Sequence, residues 1–162
     1  MWGRSKKKML DAGKHAAAFQ LKTLRGSNES LDGILAKGPA LLAFFKISCP
    51  VCQLAFPFLE RLSASTALQV VGISQDDPAS TEEFNRRFGV TFPMLLDAAK
   101  DGYQASNAYG ITSVPSLFLV EPDGTISTAF NGFSKRDMTA LGDRGGIQMF
   151  RPDENVPEWK AG

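Results

Sequence analysis

The sequence predicts an α/β domain: a mixed central β-sheet flanked by helices on both faces, with an extra strand at its N-terminal end. Three observations predict it. Ala40-Leu41-Leu42-Ala43-Phe44-Phe45 is a continuous apolar run, as a strand buried on both faces requires. A second such strand, Leu68-Gln69-Val70-Val71-Gly72-Ile73, follows a segment of helical periodicity, which makes a β-α-β unit. Further on, Ser116 to Val120, the turn Glu121-Pro122-Asp123-Gly124 and Thr125 to Phe130 form a hairpin, so antiparallel pairing joins the parallel part.

Taken in order, residues 1–14 are read as a flexible arm. Phe19 to Leu24 alternates apolar and polar residues, the period of a half-buried strand, and Arg25-Gly26-Ser27-Asn28 is turn chemistry. Ser30 to Ala36 makes a short helix stopped by Gly38-Pro39. After the first central strand, Cys49 opens a helix to about Ala64, with Leu54, Phe58, Leu59 and Leu62 on one side and Pro57 as an interior kink. Pro78 to Phe88 is a helix ended by Gly89, its Glu82, Glu83, Arg86 and Arg87 facing water. Phe92 to Asp97 is extended, Gly102 to Tyr109 a helix closed by Gly110, and Ser134 caps a last helix to about Leu141. Residues 15–144 therefore form the domain, and the Pro- and charge-rich stretch 145–162 is left as a tail.

At 162 residues one domain with a real core is expected. An apolar fraction of 43% is ordinary and points to neither disorder nor a membrane class. A formal net charge of +1 argues against nucleic acid, and the Arg86-Arg87 pair is offset by Glu82 and Glu83. The longest apolar stretch, Pro39 to Phe45, is too short to span a bilayer. Lys6, Lys7 and Lys8 are not followed by the apolar run of a secretion signal, because Asp11, Gly13 and Lys14 interrupt it. The expected compartment is the cytoplasm, although an exported protein whose leader had been removed would read the same way. A monomer is expected.

The chemistry lies in Cys49-Pro50-Val51-Cys52, the only two cysteines of the chain. At a strand-to-helix junction Cys49 meets the unpaired N–H groups and positive dipole end of the helix, which favour the thiolate, the attacking species in disulfide exchange. Pro50 suits the first helical turn, where its missing N–H costs nothing. Cys52 lies about one turn further in, on the same face, placed to resolve a mixed disulfide formed at Cys49. A zinc half-site would need further ligands, and the only histidine is His15, read as a solvated residue. Two inert buried thiols or a strained structural disulfide are the remaining bland readings. Lys46 either raises the local positive potential or points to solvent, and Ser48 either donates to the thiolate or fills the loop.

These stretches resemble the thioredoxin superfamily, and within it the redoxin branch of alkyl hydroperoxide reductase/thiol-specific antioxidant proteins and the thioredoxin-like proteins of cytochrome maturation. The resemblance spans about Phe19 to Leu141. Leu41 to Phe45 running into Cys49-Pro50-Val51-Cys52, then Phe56-Pro57, Phe92 to Asp97, Ala108 to Ile111 and Ser113-Val114-Pro115-Ser116 carry it in order. The resemblance implies a thioredoxin fold with Val114-Pro115 as a cis peptide facing the cysteines, and a thiol–disulfide oxidoreductase needing no cofactor. Cys49 and Cys52 are then catalytic, while Val114, Pro115, Pro50 and Ser48 face the substrate. Val114 pairs by its backbone with an extended partner strand, the partner being a disulfide-containing protein or a thiol reductant.

The departures are specific. Ser48 stands where relatives carry an aromatic residue, Ala43 where thioredoxin has a buried carboxylate, and Ala55 where cytochrome-maturation relatives often have a glutamate. Two alternatives share the fold. A peroxiredoxin-like thiol peroxidase needs a Thr or Ser three residues before the attacking cysteine and an arginine beside the proline; Lys46 takes the first place and the nearest downstream arginine is Arg136. A Cu(I)-binding protein needs a third ligand, and no histidine follows Cys52.

Overall fold

All six residues of β3 (Ala40–Phe45) are buried, and this strand is the hinge of the architecture. The computed structural model describes residues 8–162. β3 pairs in parallel with β4 (Gln69–Ser74) on one side and antiparallel with β6 (Ser116–Val120) on the other. Beyond β4 lies β5 (Met94–Leu96), parallel, followed by β1 (Gln20–Thr23) and β2 (Asn28–Ser30), both antiparallel to their neighbours. β7 (Ile126–Asn131) closes the other edge, giving the order β2-β1-β5-β4-β3-β6-β7. The mixed sheet and its N-terminal strand extension are those the sequence predicts.

Strand alternation sends the buried side chains to two faces, each covered by helices. On one, Leu41, Ala43 and Phe45 meet α2 (Pro50–Leu62), α3 (Pro78–Phe88) and α5 (Lys135–Gly145) through Phe56, Leu59, Leu62, Phe84, Met138 and Leu141. On the other, Leu42 and Phe44 meet α1 (Leu31–Leu35) and the short α4 (Gln104–Ala108), with Tyr109 fully buried against Phe44 at 5.1 Å between ring centroids. Each face thus buries several large side chains, at roughly 1.5–3 kcal/mol of transfer free energy apiece.

Several expectations change, though His15 is exposed as read. Residues 1–7 of the expected arm lie outside the described residues, but the rest of it is docked: Leu10 N–H donates to the Tyr109 carbonyl (3.0 Å), Gly13 N–H to Ile126 (2.8 Å), and Met9 and Leu10 pack against the core. The exposed His15 forms a bridge pair with Thr125. Asn28, read as turn, starts β2. The buried stripe of α2 is Cys52, Ala55, Phe56, Leu59 and Leu62, with the helix running through Pro57; Leu54 and Phe58 are only partly buried. Phe58 instead meets Phe150 (4.8 Å between centroids), because the segment after α5 folds back over it.

That segment is not a loose tail. Met149 is buried, and Arg61 on α2 donates to the Met149 carbonyl (2.8 Å) and to both carboxylate oxygens of Glu154 (2.7 and 2.6 Å). β9 (Trp159–Lys160) then pairs antiparallel with β8 (Phe133–Ser134) in a separate two-stranded ribbon.

Candidate active site

The site is built where β3 ends and α2 begins. After Phe45 the chain turns through Lys46-Ile47-Ser48, and two side chains pin that turn. Asp76, just past the end of β4, accepts from Ile47 N–H (2.8 Å), and Gln53 on α2 donates to the Ile47 carbonyl (2.9 Å). Neither residue stands out in the sequence. Asp76 could have been found by its place at the carboxyl end of a parallel strand, where sites on such sheets gather.

Cys49 is the N-cap of α2, with extended backbone (φ −82°, ψ 114°), and its Sγ accepts from Cys52 N–H at 3.1 Å. The sulfur therefore takes the place of a capping oxygen, satisfying one of the helix's unpaired donors with a group that can carry negative charge. Pro50 fills the first helical position and is exposed. Cys49 is partly exposed and Cys52 wholly buried; both are free thiols.

Cys52 belongs to the apolar cluster that also holds Ala43, Phe45, Ala55 and Phe56. Burial pushes its thiol pKa far up, reinforced by the hydrogen bond to Cys49, while the Lys46 backbone opposes this to a smaller degree. Ala43 and Ala55, 0% and 1% exposed, put no carboxylate at either of the two positions where the resemblance implies one. Cys52 is thus held as the neutral thiol.

Val114 and Pro115 face Cys49 from the loop before β6. The Val114–Pro115 bond is cis, as the resemblance implies. Cys49 Sγ–H donates to the Val114 carbonyl (3.3 Å), so the structure brings Cys49, Cys52, Val114 and Pro115 together. Two contacts hold that loop: Ser116 Oγ–H donates to the Ser113 carbonyl (2.7 Å), and Gly132 N–H donates to the Pro115 carbonyl (2.8 Å). Among the described residues no group accepts from Val114 N–H. Ser48 and Lys46 are exposed, and among the described residues neither side chain hydrogen-bonds to either sulfur. Arg136, the arginine nearest downstream of Pro115, has a side chain 90% exposed on α5 beside Asp137.

Fold and pair together define a class, the thioredoxin-fold thiol–disulfide oxidoreductases. Residues 12–129 match the AhpC/TSA family, and the chain belongs to it. Among curated relatives it is 29% identical over 125 residues to the thiol-disulfide oxidoreductase ResA of Halalkalibacterium halodurans, covering 75% of this chain and 69% of that one. It is 33% identical over 143 residues to the thioredoxin-like protein YneN of Bacillus subtilis, covering 83% and 81%. Among solved structures, the thioredoxin domain of the thiol-disulfide oxidoreductase BVU-2223 from Bacteroides vulgatus superposes with a TM-score of 0.73 at 20% identity, covering 86% of this chain and 99% of that one. That likeness shows the shared fold. No helix among the described residues is long and apolar enough to cross a membrane.

Proposed function

We propose that this chain exchanges disulfides with a disulfide-containing protein or a thiol reductant through Cys49 and Cys52, without a cofactor. The observation that supports it best is the double engagement of Cys49 Sγ, which accepts from Cys52 N–H at the helix end and donates to Val114 O across the groove. Cys49, as thiolate, attacks one sulfur of the partner disulfide; that S–S bond breaks and the other partner sulfur leaves with the electron pair, taking a proton from solvent. Cys52 then gives up its proton and attacks Cys49 Sγ, releasing the second partner sulfur as a thiol and closing the Cys49–Cys52 disulfide. Two electrons and two protons pass to the partner, and a dithiol runs the sequence backwards. The Val114 N–H, without a partner among the described residues, is a ready donor for an extended partner strand.

The test is the reduction potential of the pair, measured by equilibration against glutathione or dithiothreitol buffers. A reversible two-electron couple supports the proposal. A value near that of thioredoxin, about −270 mV, assigns the chain to reduction, and one near −120 mV to oxidation. If no reversible intramolecular disulfide forms, the proposal fails.

A further inference from the structure

The segment after α5 returns to the redox site and lies against it. Past the Arg61–Glu154 pair it runs beside β8 as β9, with Lys135 N–H donating to the Glu158 carbonyl (2.9 Å), and ends its described course on Val114. Two glycines sit where the backbones come closest. A Cβ at Gly132 (φ +75°) would lie 2.4 Å from the Lys160 carbonyl oxygen, and one at Gly162 would lie 2.5 Å from Val114 O. Val114 O is the atom to which Cys49 Sγ–H donates, so one carbonyl separates the segment from the nucleophile. The hold on this stretch is slight: β9 has two paired positions, both of its residues are exposed, and Trp159 is 61% exposed. A short ladder with exposed residues belongs to the low-stability end of a fold and opens locally.

We propose that residues 159–162 are a specificity strap over the Val114 side of the groove. A small disulfide reaches the partly exposed Cys49 with the strap in place, whereas an extended polypeptide disulfide, which runs past the Val114 carbonyl as well as its free N–H, meets the strap at that carbonyl and must lift it. The strap therefore selects compact disulfides over polypeptide ones. This inference rests on the oxidoreductase reading above.

The test uses the full chain, reduced, and two probes: insulin as the polypeptide disulfide and 5,5′-dithiobis(2-nitrobenzoate) as the small one. Gly162→Val forces the strap off Val114, because its Cβ has no room there. Its rate constant with insulin rises about tenfold while that with the small disulfide stays within about twofold. Glu154→Gln weakens the upstream clamp and moves the ratio of the two rates the same way by a smaller factor. Hydrogen exchange at the Lys135 amide, faster in both variants, reports the lifting independently of activity. An unchanged ratio in both variants overturns the strap, as does an equal rise with both probes, which would mean general access and no selection. Failure of the parent chain to react with either probe overturns the oxidoreductase reading and the strap with it.

Discussion

The amino end of α2 carries Cys49 and the segment after α5 reaches Val114, the residue whose carbonyl accepts from Cys49, and the two are held in different ways. The first is held locally. Cys49, Pro50 and Cys52 are neighbours in sequence, the cap is closed by Cys52 N–H, and the preceding strand is buried along its whole length. The second is held by partners far away in sequence: Arg61 on Glu154, Phe58 on Phe150, and Phe133 and Ser134 against β9. Chemistry that must not move is thus built into a strand–helix junction, while the element beside the groove hangs on a few long-range contacts. A site arranged so can keep its nucleophile fixed while its access changes.

The largest effect that separates the two regions is on exchange itself. Cys49→Ser should abolish turnover with any disulfide, a loss of about a thousandfold or more, whereas removing the Arg61–Glu154 pair should leave the reaction with small disulfides nearly intact. Stopped-flow rates on both variants check this.

Stability is the next divider. Phe56→Ala, at the buried centre of the α2 face, should cost about 3–5 kcal/mol in urea unfolding. Phe150→Ala, partly buried under the returning segment, should cost about half as much. Equal losses would mean that the segment is as integral to the core as α2.

The two cysteines sharpen the contrast within one turn of helix. Since burial holds Cys52 as the neutral thiol and Cys49 is partly exposed, iodoacetamide at pH 8 should alkylate Cys49 at least about tenfold faster. Peptide mapping by mass spectrometry reads the ratio.

The smallest effect is that of acid on the clamp. Arg61, then the Arg151 backbone N–H, hold the Glu154 carboxyl down to about 2. A carboxylate with a depressed native pKa adds stability that is complete above its unfolded value, about 4.3, and is lost as pH falls through the native one. Exchange protection at the Lys135 amide should therefore decline between about pH 4.3 and pH 2, and Glu154→Gln should remove most of that dependence.

What the sequence reveals follows the same division. β3, β6 and α3 fall on the residues that apolar runs and helix end signals predict, since those signals are local: a six-residue apolar run, a five-residue one, and a helix from Pro78 to Phe88 ended by Gly89. The cysteine pair is legible for the same reason. The sequence predicts a last helix to about Leu141, yet α5 continues through Gly142 to Gly145, two residues of low helix propensity. Their absence of side chains serves packing: a Cβ at Gly142 would meet Met149 at 2.3 Å, and one at Gly145 would meet Leu62 at 2.9 Å. Helix propensity does not register a neighbour that arrives from further along the chain. Asp97 is another such case, buried and accepting from Ala105 and Ser106 N–H (3.0 and 2.7 Å) to cap α4 from a different element. Val114 and Pro115 needed the family resemblance, since nothing in their local sequence relates them to Cys49.

The most direct test is trapping. Cys52→Ser, reduced and then mixed with a disulfide-bonded peptide, should accumulate a stable mixed disulfide, and mass spectrometry should place the peptide on Cys49 in stoichiometric amount. Release of the peptide at the parental rate, or no adduct under conditions where the parent chain reacts, would contradict the assignment of Cys49 as nucleophile and Cys52 as resolving thiol.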